Sequence, residues 1–477
     1  MKAFITCMAM GLCAAVGVGA DRPLAWPQFR GPSGTGIAEG QQPPVEIGQD
    51  KNLKWKVPAP SGLSSPIVAG NKLVITALDG GKLYTIAYDR ASGKEMWRAE
   101  APAKQLEAFH KTEGSPAAST PATDGDRIVS YFGSCGLICY DMSGSELWKV
   151  TMPPTVLLGD FGSGVSPIIA DGVVILVRDQ IKDSKILAFD ATTGSLKWEK
   201  TRRSPVSYST PVVWDTPSGK QVVVAGHALL IGYDMQTGAE KWSVAGTPSG
   251  CCSSPVVARD ILFFAGSSPG GPEDLENQMP TYDGLLKDLD KDKDGKLSRD
   301  EAAKNFEGFF DNQDTNKDGK ITRDEWDTVL KLFSEGKNRA FALKVGGSGD
   351  ITDSHVLWKQ TKGLPYIPSA VVYQGQYVMV KDGGIVTAYD VKTGAEIYQG
   401  RAAASGTYYA SPVAANGHIY FTSLDGAVTV LKAGADQPVV VAKNPKLDER
   451  TAATPAIAEN TLYIRTDKHL YAFSATK

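Results

Sequence analysis

A serine or threonine followed by proline recurs ahead of an apolar stretch at Ser65-Pro66, Thr120-Pro121, Ser166-Pro167, Thr210-Pro211, Ser254-Pro255, Ser411-Pro412 and Thr454-Pro455. Ser369-Ala370 is a degenerate eighth member. Successive intervals are 55, 46, 44, 44, 115, 42 and 43 residues. Self-similarity at such a period confines the chain to a repeat architecture. The 115-residue interval is the one break in it.

Within a unit the strands follow one order. In the first, Pro66-Ile67-Val68 leads to Lys72-Leu73-Val74-Ile75, then to a turn at Asp79-Gly80-Gly81 and to Leu83–Tyr88. Asp89, Gly93 and Trp97 close the unit. Asp190, Gly194 and Trp198 repeat this signature, as do Asp234, Gly238 and Trp242. Asp141, Gly144 and Trp148 form a version one residue shorter, and Asp390 and Gly394 precede Tyr398. The aspartate can accept from the turn's N–H groups, the glycine allows a positive φ, and the tryptophan offers an apolar face to the next unit. Units of about 40–50 residues with four short strands read as propeller blades. The last unit, Thr454 to Phe473, has about three strands, while Asn52–Val57 is a lone strand near the start. The expectation is an all-β, eight-bladed β-propeller in which that strand completes blade eight.

These Asp-x-x-Thr-Gly-x-x-x-Trp turns resemble the blade motif of the pyrroloquinoline-quinone-type propeller family. That family includes quinoprotein alcohol dehydrogenases and the propeller subunit of the outer-membrane protein assembly machinery. The resemblance covers about residues 52–477, and Trp26-Pro27-Gln28-Phe29-Arg30-Gly31-Pro32 is similar to the leader of a group of exported bacterial propellers. It implies the fold; one propeller hosts many functions.

The long interval changes composition from about Glu273 to Glu335, and removing about 62 residues leaves one ordinary blade. Ile261–Ala265 reads as a second strand, Arg339–Leu343 as a third and Trp358 as the closing aromatic, so the insert interrupts the loop between those strands in blade five. Inside it, Asp290 to Glu301 fits the twelve-residue EF-hand loop. Asp290, Asp292 and Asp294 offer monodentate oxygens, Lys296 a backbone carbonyl and Glu301 a bidentate carboxylate, with Gly295 at the sharp turn and Ser298 where a water usually bridges. The second loop offers Asp314, Asn316, Asp318, the Lys320 carbonyl and Glu325 around Gly319. Leu297 and Ile321 suit the strand pairing between loops. Only residues 302–313 separate the loops, room for one shared helix. Phe306, Phe309 and Phe310 are expected to bury its face, and Trp326, Val329, Leu330 and Phe333 that of the following helix. Residues 281–335 hold 15 acidic and 10 basic residues, a net −5 that two calcium ions would offset. A structural calcium clip is favoured over a calcium switch.

The rest of the chain sets limits. Lys2 precedes an apolar run from Ala3 to Ala20, and Val18-Gly19-Ala20 ahead of Asp21 predicts signal-peptide cleavage after Ala20. Neither Cys7 nor Cys13 follows a small residue suited to a lipid anchor. Export to the periplasm or beyond is expected, with no membrane span, since no later stretch approaches about 20 apolar residues. With 50 basic and 53 acidic residues the net charge is −3, which removes the electrostatic argument for nucleic acid. The expected organisation is a signal peptide at 1–20, a leader at 21–51, blades at 52–272 and 337–477, and the EF-hand insert at 273–336.

The residues ahead of each Ser/Thr-Pro are expected to rim the central channel on the face that bears the insert: Arg203, Tyr208, Cys251, Cys252, Tyr366, Tyr408 and Tyr409. Cys135 and Cys139 flank a turn and are close enough in sequence to pair. Cys251-Cys252 matches the vicinal disulfide that the resemblance places beside the quinone in family dehydrogenases. The carboxylate set of those enzymes is not identifiable here, and no Gly-x-Ser-x-Gly motif places a nucleophile. The reading is therefore a monomeric, calcium-binding, non-catalytic scaffold for a protein, glycan or small molecule. The alternatives are a quinoprotein oxidoreductase holding pyrroloquinoline quinone and an outer-membrane assembly-factor-like propeller.

Overall fold

The computed structural model describes residues 25–269, 279–302 and 310–475. The expected signal segment lies outside these residues, as do Phe306 and Phe309. Eight antiparallel sheets, each with the strands of one unit in order, form an eight-bladed propeller. The first blade runs through Ile67–Ala69, Lys72–Asp79, Lys82–Asp89 and Glu95–Ala101. In the eighth, Leu53–Pro58 pairs antiparallel with His469–Ser474, so the strand near the chain start completes the last blade.

The inner ring explains the repeating serine or threonine. The Ser65 N–H donates to Thr120 Oγ1 at 2.9 Å, Thr120 to Ser166 Oγ at 3.0 Å, Ser166 to Thr210 Oγ1 at 3.1 Å and Thr210 to Ser254 Oγ at 3.0 Å. Ser254 donates to Ser369 Oγ, Ser369 to Ser411 Oγ, Ser411 to Thr454 Oγ1, and Thr454 back to Ser65 Oγ at 3.0 Å. Each hydroxyl thus satisfies a buried N–H of the preceding blade, and the circle closes through the seam between chain ends. Ser369 takes its place although alanine replaces the proline after it.

A second bond ties blades at the periphery. Trp148 Nε1 donates to the Ala191 carbonyl of the next blade at 3.0 Å, and its ring lies against Gly194. A Cβ there would come within 2.7 Å of the ring, and φ is +71°, so both sterics and backbone demand glycine. Trp55, Trp97, Trp198 and Trp358 repeat the contact at Arg90, Met142, Met235 and Val391. Trp242 departs from the docking expected of it. Its Nε1 donates to Gln221 Oε1 within its own blade, and blade five has Ser354 where the motif's turn glycine would stand four residues before Trp358. Trp214 bridges to the Arg259 carbonyl instead, and Gly349–Asp350 joins blade four as a fifth strand, parallel to Glu240–Ala245.

The seam has two further anchors. Arg465 Nη1 of blade eight donates to the Ser64 and Thr76 carbonyls of blade one at 3.0 and 2.8 Å. Glu449 gathers Lys56, Thr466, His469 and Tyr471. Burial raises its pKa, but these bonds outweigh it and hold the carboxyl at about 2.

The leader closes one end of the channel. Val68 and Thr123 donate to the Trp26 and Pro27 carbonyls in blades one and two. Arg30, fully buried and pushed by burial down to about 10, reaches the Ala370 carbonyl in blade six, and Gly36 and Ala38 pair with Ala414 in blade seven. The segment therefore crosses the ring from side to side. Cys135 and Cys139 are free thiols and do not pair. Cys135 packs with Leu83 and Phe132, Cys139 with Val129 and Trp148, in separate cores.

Candidate metal centre and central cavity

The insert leaves blade five between Ile261–Gly266 and Arg339–Lys344, which pair with each other. It carries helices α1 (Tyr282–Leu289), α2 (Arg299–Ala302), α3 (Phe310–Gln313) and α4 (Arg323–Glu335). Most of the expected shared helix, 303–309, lies outside the described residues. Tyr282, Leu285, Leu297, Phe310, Ile321 and Trp326 form its own small core. Leu297 pairs with Ile321, joining the two loops back to back.

In the first loop the carboxylates of Asp290, Asp292 and Asp294 lie within 4.8 Å of one another. Asp290 Oδ2 accepts from Gly295 N at 3.0 Å, while its Oδ1 is buried without a partner. Glu301 folds back over the loop, accepting from Lys291 N at 2.8 Å and from the Ser298 N–H and hydroxyl. The Ser298 bonds, ahead of those from the backbone, lower its pKa to about 2, so it is ionised at neutral pH. In the second loop Asp314 accepts from Asp318 N and Gly319 N at 3.0 and 2.9 Å, and Glu325 from Thr315 N and Thr322 N, both at 2.9 Å. Lys293 and Lys317 occupy matching left-handed positions, both at φ +59°. The Lys320 ammonium pairs with Asp294 of the other loop. Converging carboxylate oxygens with one orphaned acceptor suit a hard cation.

The second site is the channel. Ring hydroxyls, blade connections and the leader line a cavity of about 560 Å³. Phe29 of the leader lies at one end and Phe333 of α4 at the other, among Leu63, Phe161, Val206 and Ile367. Of the expected rim residues, Tyr208, Cys252, Tyr366 and Tyr409 line it. Arg203 instead pairs with Glu240 on the surface, Cys251 packs with Trp214 and Phe264, and Tyr408 is buried against Val380 and Ala403. Phe333 was expected in the EF-hand core. It lies beyond that core because the last turn of α4 overhangs the propeller, where Ser249 Oγ donates to its carbonyl at 2.8 Å and His227 meets Glu335 at 3.2 Å. Cys251 and Cys252 carry free thiols, and burial pushes Cys252 up to about 12.

The one charged residue lining the cavity, among the described residues, is Glu113. Tyr409 donates to it and Arg450 stands 3.9 Å away. Pyrroloquinoline quinone carries three carboxylates. A cavity lined by one carboxylate and no cation does not fit it.

A family model described as outer membrane protein assembly factor BamB matches residues 84–277 and 347–477. The chain belongs to that family. An EF-hand model matches 282–301 and 306–330. The outer membrane protein assembly factor BamB of Burkholderia pseudomallei is 24% identical over 180 residues, 37% of this chain and 41% of that protein. The chain thus spans about two-fifths of the length of this curated relative. Among solved structures, BamB from Moraxella catarrhalis superposes with a TM-score of 0.56 at 13% identity, covering 89% of this chain and 97% of that one. A europium-containing methanol dehydrogenase gives 0.54 at 12%, covering 93% and 89%. At these identities the likeness shows the fold.

The leader plug and the overhang of α4 were missed from sequence. The Trp26–Pro32 resemblance marked the leader but not where it lies. Among the described residues no helix is long and apolar enough to cross a membrane.

Proposed function

We propose that the protein is a calcium-binding, exported, non-catalytic propeller that presents a ligand- or protein-binding surface, with one calcium ion in each EF-hand loop. The observation that carries the calcium reading is the orphaned Asp290 Oδ1 inside a cluster of three carboxylates. The ligands are Asp290, Asp292, Asp294, Glu301 and the Lys296 carbonyl in one loop. Asp314, Asn316, Asp318, Glu325 and the Lys320 carbonyl serve the other. Calcium is a structural clip on the insert, taken as residues 273–336, with affinities of about 10⁻⁴–10⁻³ M, as in extracellular modules. Removal of residues 1–20 places the protein in the periplasm or outside the cell. The family description supports a second reading, a protein partner in outer-membrane assembly.

Calcium titration calorimetry on the mature chain tests this. Two sites are expected, one lost in Glu301→Gln and the other in Glu325→Gln. Absence of calcium heat in the unmutated protein overturns the assignment.

A further inference from the structure

We propose that the central cavity binds a neutral small molecule with oxygen acceptors on a flat apolar body, and that α4 makes the second EF-hand loop part of that site. The calcium half rests on the reading above; the cavity half stands without it. The volume of about 560 Å³ is in the range of small-molecule sites. The leader crosses one end of the channel, with Phe29 lining the cavity there, so the cavity is a blind pocket rather than a passage for a chain.

The polar groups in the wall select the ligand. Seven of the eight ring hydroxyls line the cavity, Ser254 being the exception. Each accepts from its neighbour, and among the described residues none donates in turn, so their O–H hydrogens are available. Ser268 and Tyr208 also line the cavity, and the Oγ of the first and the Oη of the second are buried without a partner. Buried hydroxyls left unpaired cost stability, and a ligand acceptor restores the bond. These donors carry no charge. Glu113, the one carboxyl at the wall among the described residues, already faces Tyr409 and Arg450. An anion would therefore lose its hydration without meeting a cation. Phe161, Phe333 and Tyr366 supply apolar faces for a flat body.

Helix α4 connects the two sites. Glu325, the last carboxylate of the second loop, lies in its first turn, and Phe333 lies at the cavity near its end. Its C-terminal side is pinned to blades four and five through Ser249, His227 and the Lys337–Thr247 bond. A rigid rod of about 20 Å thus carries any reorientation at Glu325 to the cavity wall.

The test is equilibrium dialysis of the full chain against three probes of one shape: 2-acetylnaphthalene, 2-ethylnaphthalene and 2-naphthoate. The ketone is expected to bind one per chain, with the hydrocarbon and the anion each weaker by about tenfold or more, the scale of one buried hydrogen bond. Phe333→Ala and Tyr366→Ala each weaken the ketone about fivefold, and calcium removal weakens it in the unmutated chain but not in Phe333→Ala. Tyr366 is 41% exposed, so its truncation leaves the fold intact even if Phe333→Ala does not. Naphthoate binding as tightly as the ketone, ketone binding indifferent to both substitutions, or no binding of any probe overturns the ligand site. Calcium heat without a change in ketone affinity overturns the coupling and leaves the calcium reading standing. Absence of calcium heat overturns both of these and leaves the cavity to the substitutions.

Discussion

The ring of blades repeats neutral contacts, hydroxyl to N–H and indole to carbonyl, with charged anchors added at the seam, whereas the insert gathers carboxylates around a core of a few side chains. Each blade is braced by its neighbours, so the ring's order arises from repetition and buried apolar area. The insert has neither. Its loops hold like charges together, and the Lys320 ammonium beside Asp294 offsets only part of that repulsion, leaving the rest to a counter-ion. One chain thus contains a body whose stability should ignore calcium and an appendage whose order should depend on it.

The contrast can be broken most severely at a turn glycine. Gly394 has φ +70°, and a Cβ there would lie 2.5 Å from Trp358. Gly394→Val is expected to cost about 3 kcal/mol or more. Urea unfolding should give the same loss with calcium and with chelator. Next is the inner ring. Ser166→Ala leaves the Thr120 N–H without its acceptor and should cost about 1–3 kcal/mol, while Ser166→Thr is near neutral.

A smaller effect separates the ring from simple apolar packing. Glu107 is buried within the connection between blades one and two, where burial raises its carboxyl to about 7 and the Ser163 hydroxyl bond only partly offsets this. Its folded pKa lies above the unfolded value of about 4.3, so the native state holds the proton more tightly. Stability should fall as pH rises from about 4 through 7 and level off above. Glu107→Gln should therefore raise Tm by about 1–3 °C at pH 8 and leave it unchanged at pH 4, read by calorimetry. The smallest effect belongs to the insert. Lys320→Met removes the ammonium paired with Asp294 and should tighten calcium at the first loop about twofold to fivefold, as expected for an exposed pair.

The same contrast governs what the sequence reveals. The eight units were legible, even at Ser369, because the ring hydroxyl is a side chain required once per blade. The strand at 53–58 was legible as the missing fourth strand because Trp55 repeats the closing aromatic. The EF-hand spacing was legible because a hard cation dictates ligand types at fixed offsets. The leader's position was not, since Arg30 reaches Ala370 across 340 residues with no periodic mark. Trp242 misled because its sequence signature is complete and the missing partner belongs to the next blade. Phe333 misled because helical spacing places it on the face of Trp326, and only the length of α4 carries it past the EF-hand core.

Hydrogen–deuterium exchange of the full chain with and without calcium tests the division most directly. Slowed exchange confined to residues 279–336 and the 247–252 connection beneath α4, with the blades unchanged, is the predicted result. Indifference of the insert to calcium, or protection spread through the blades, would contradict it.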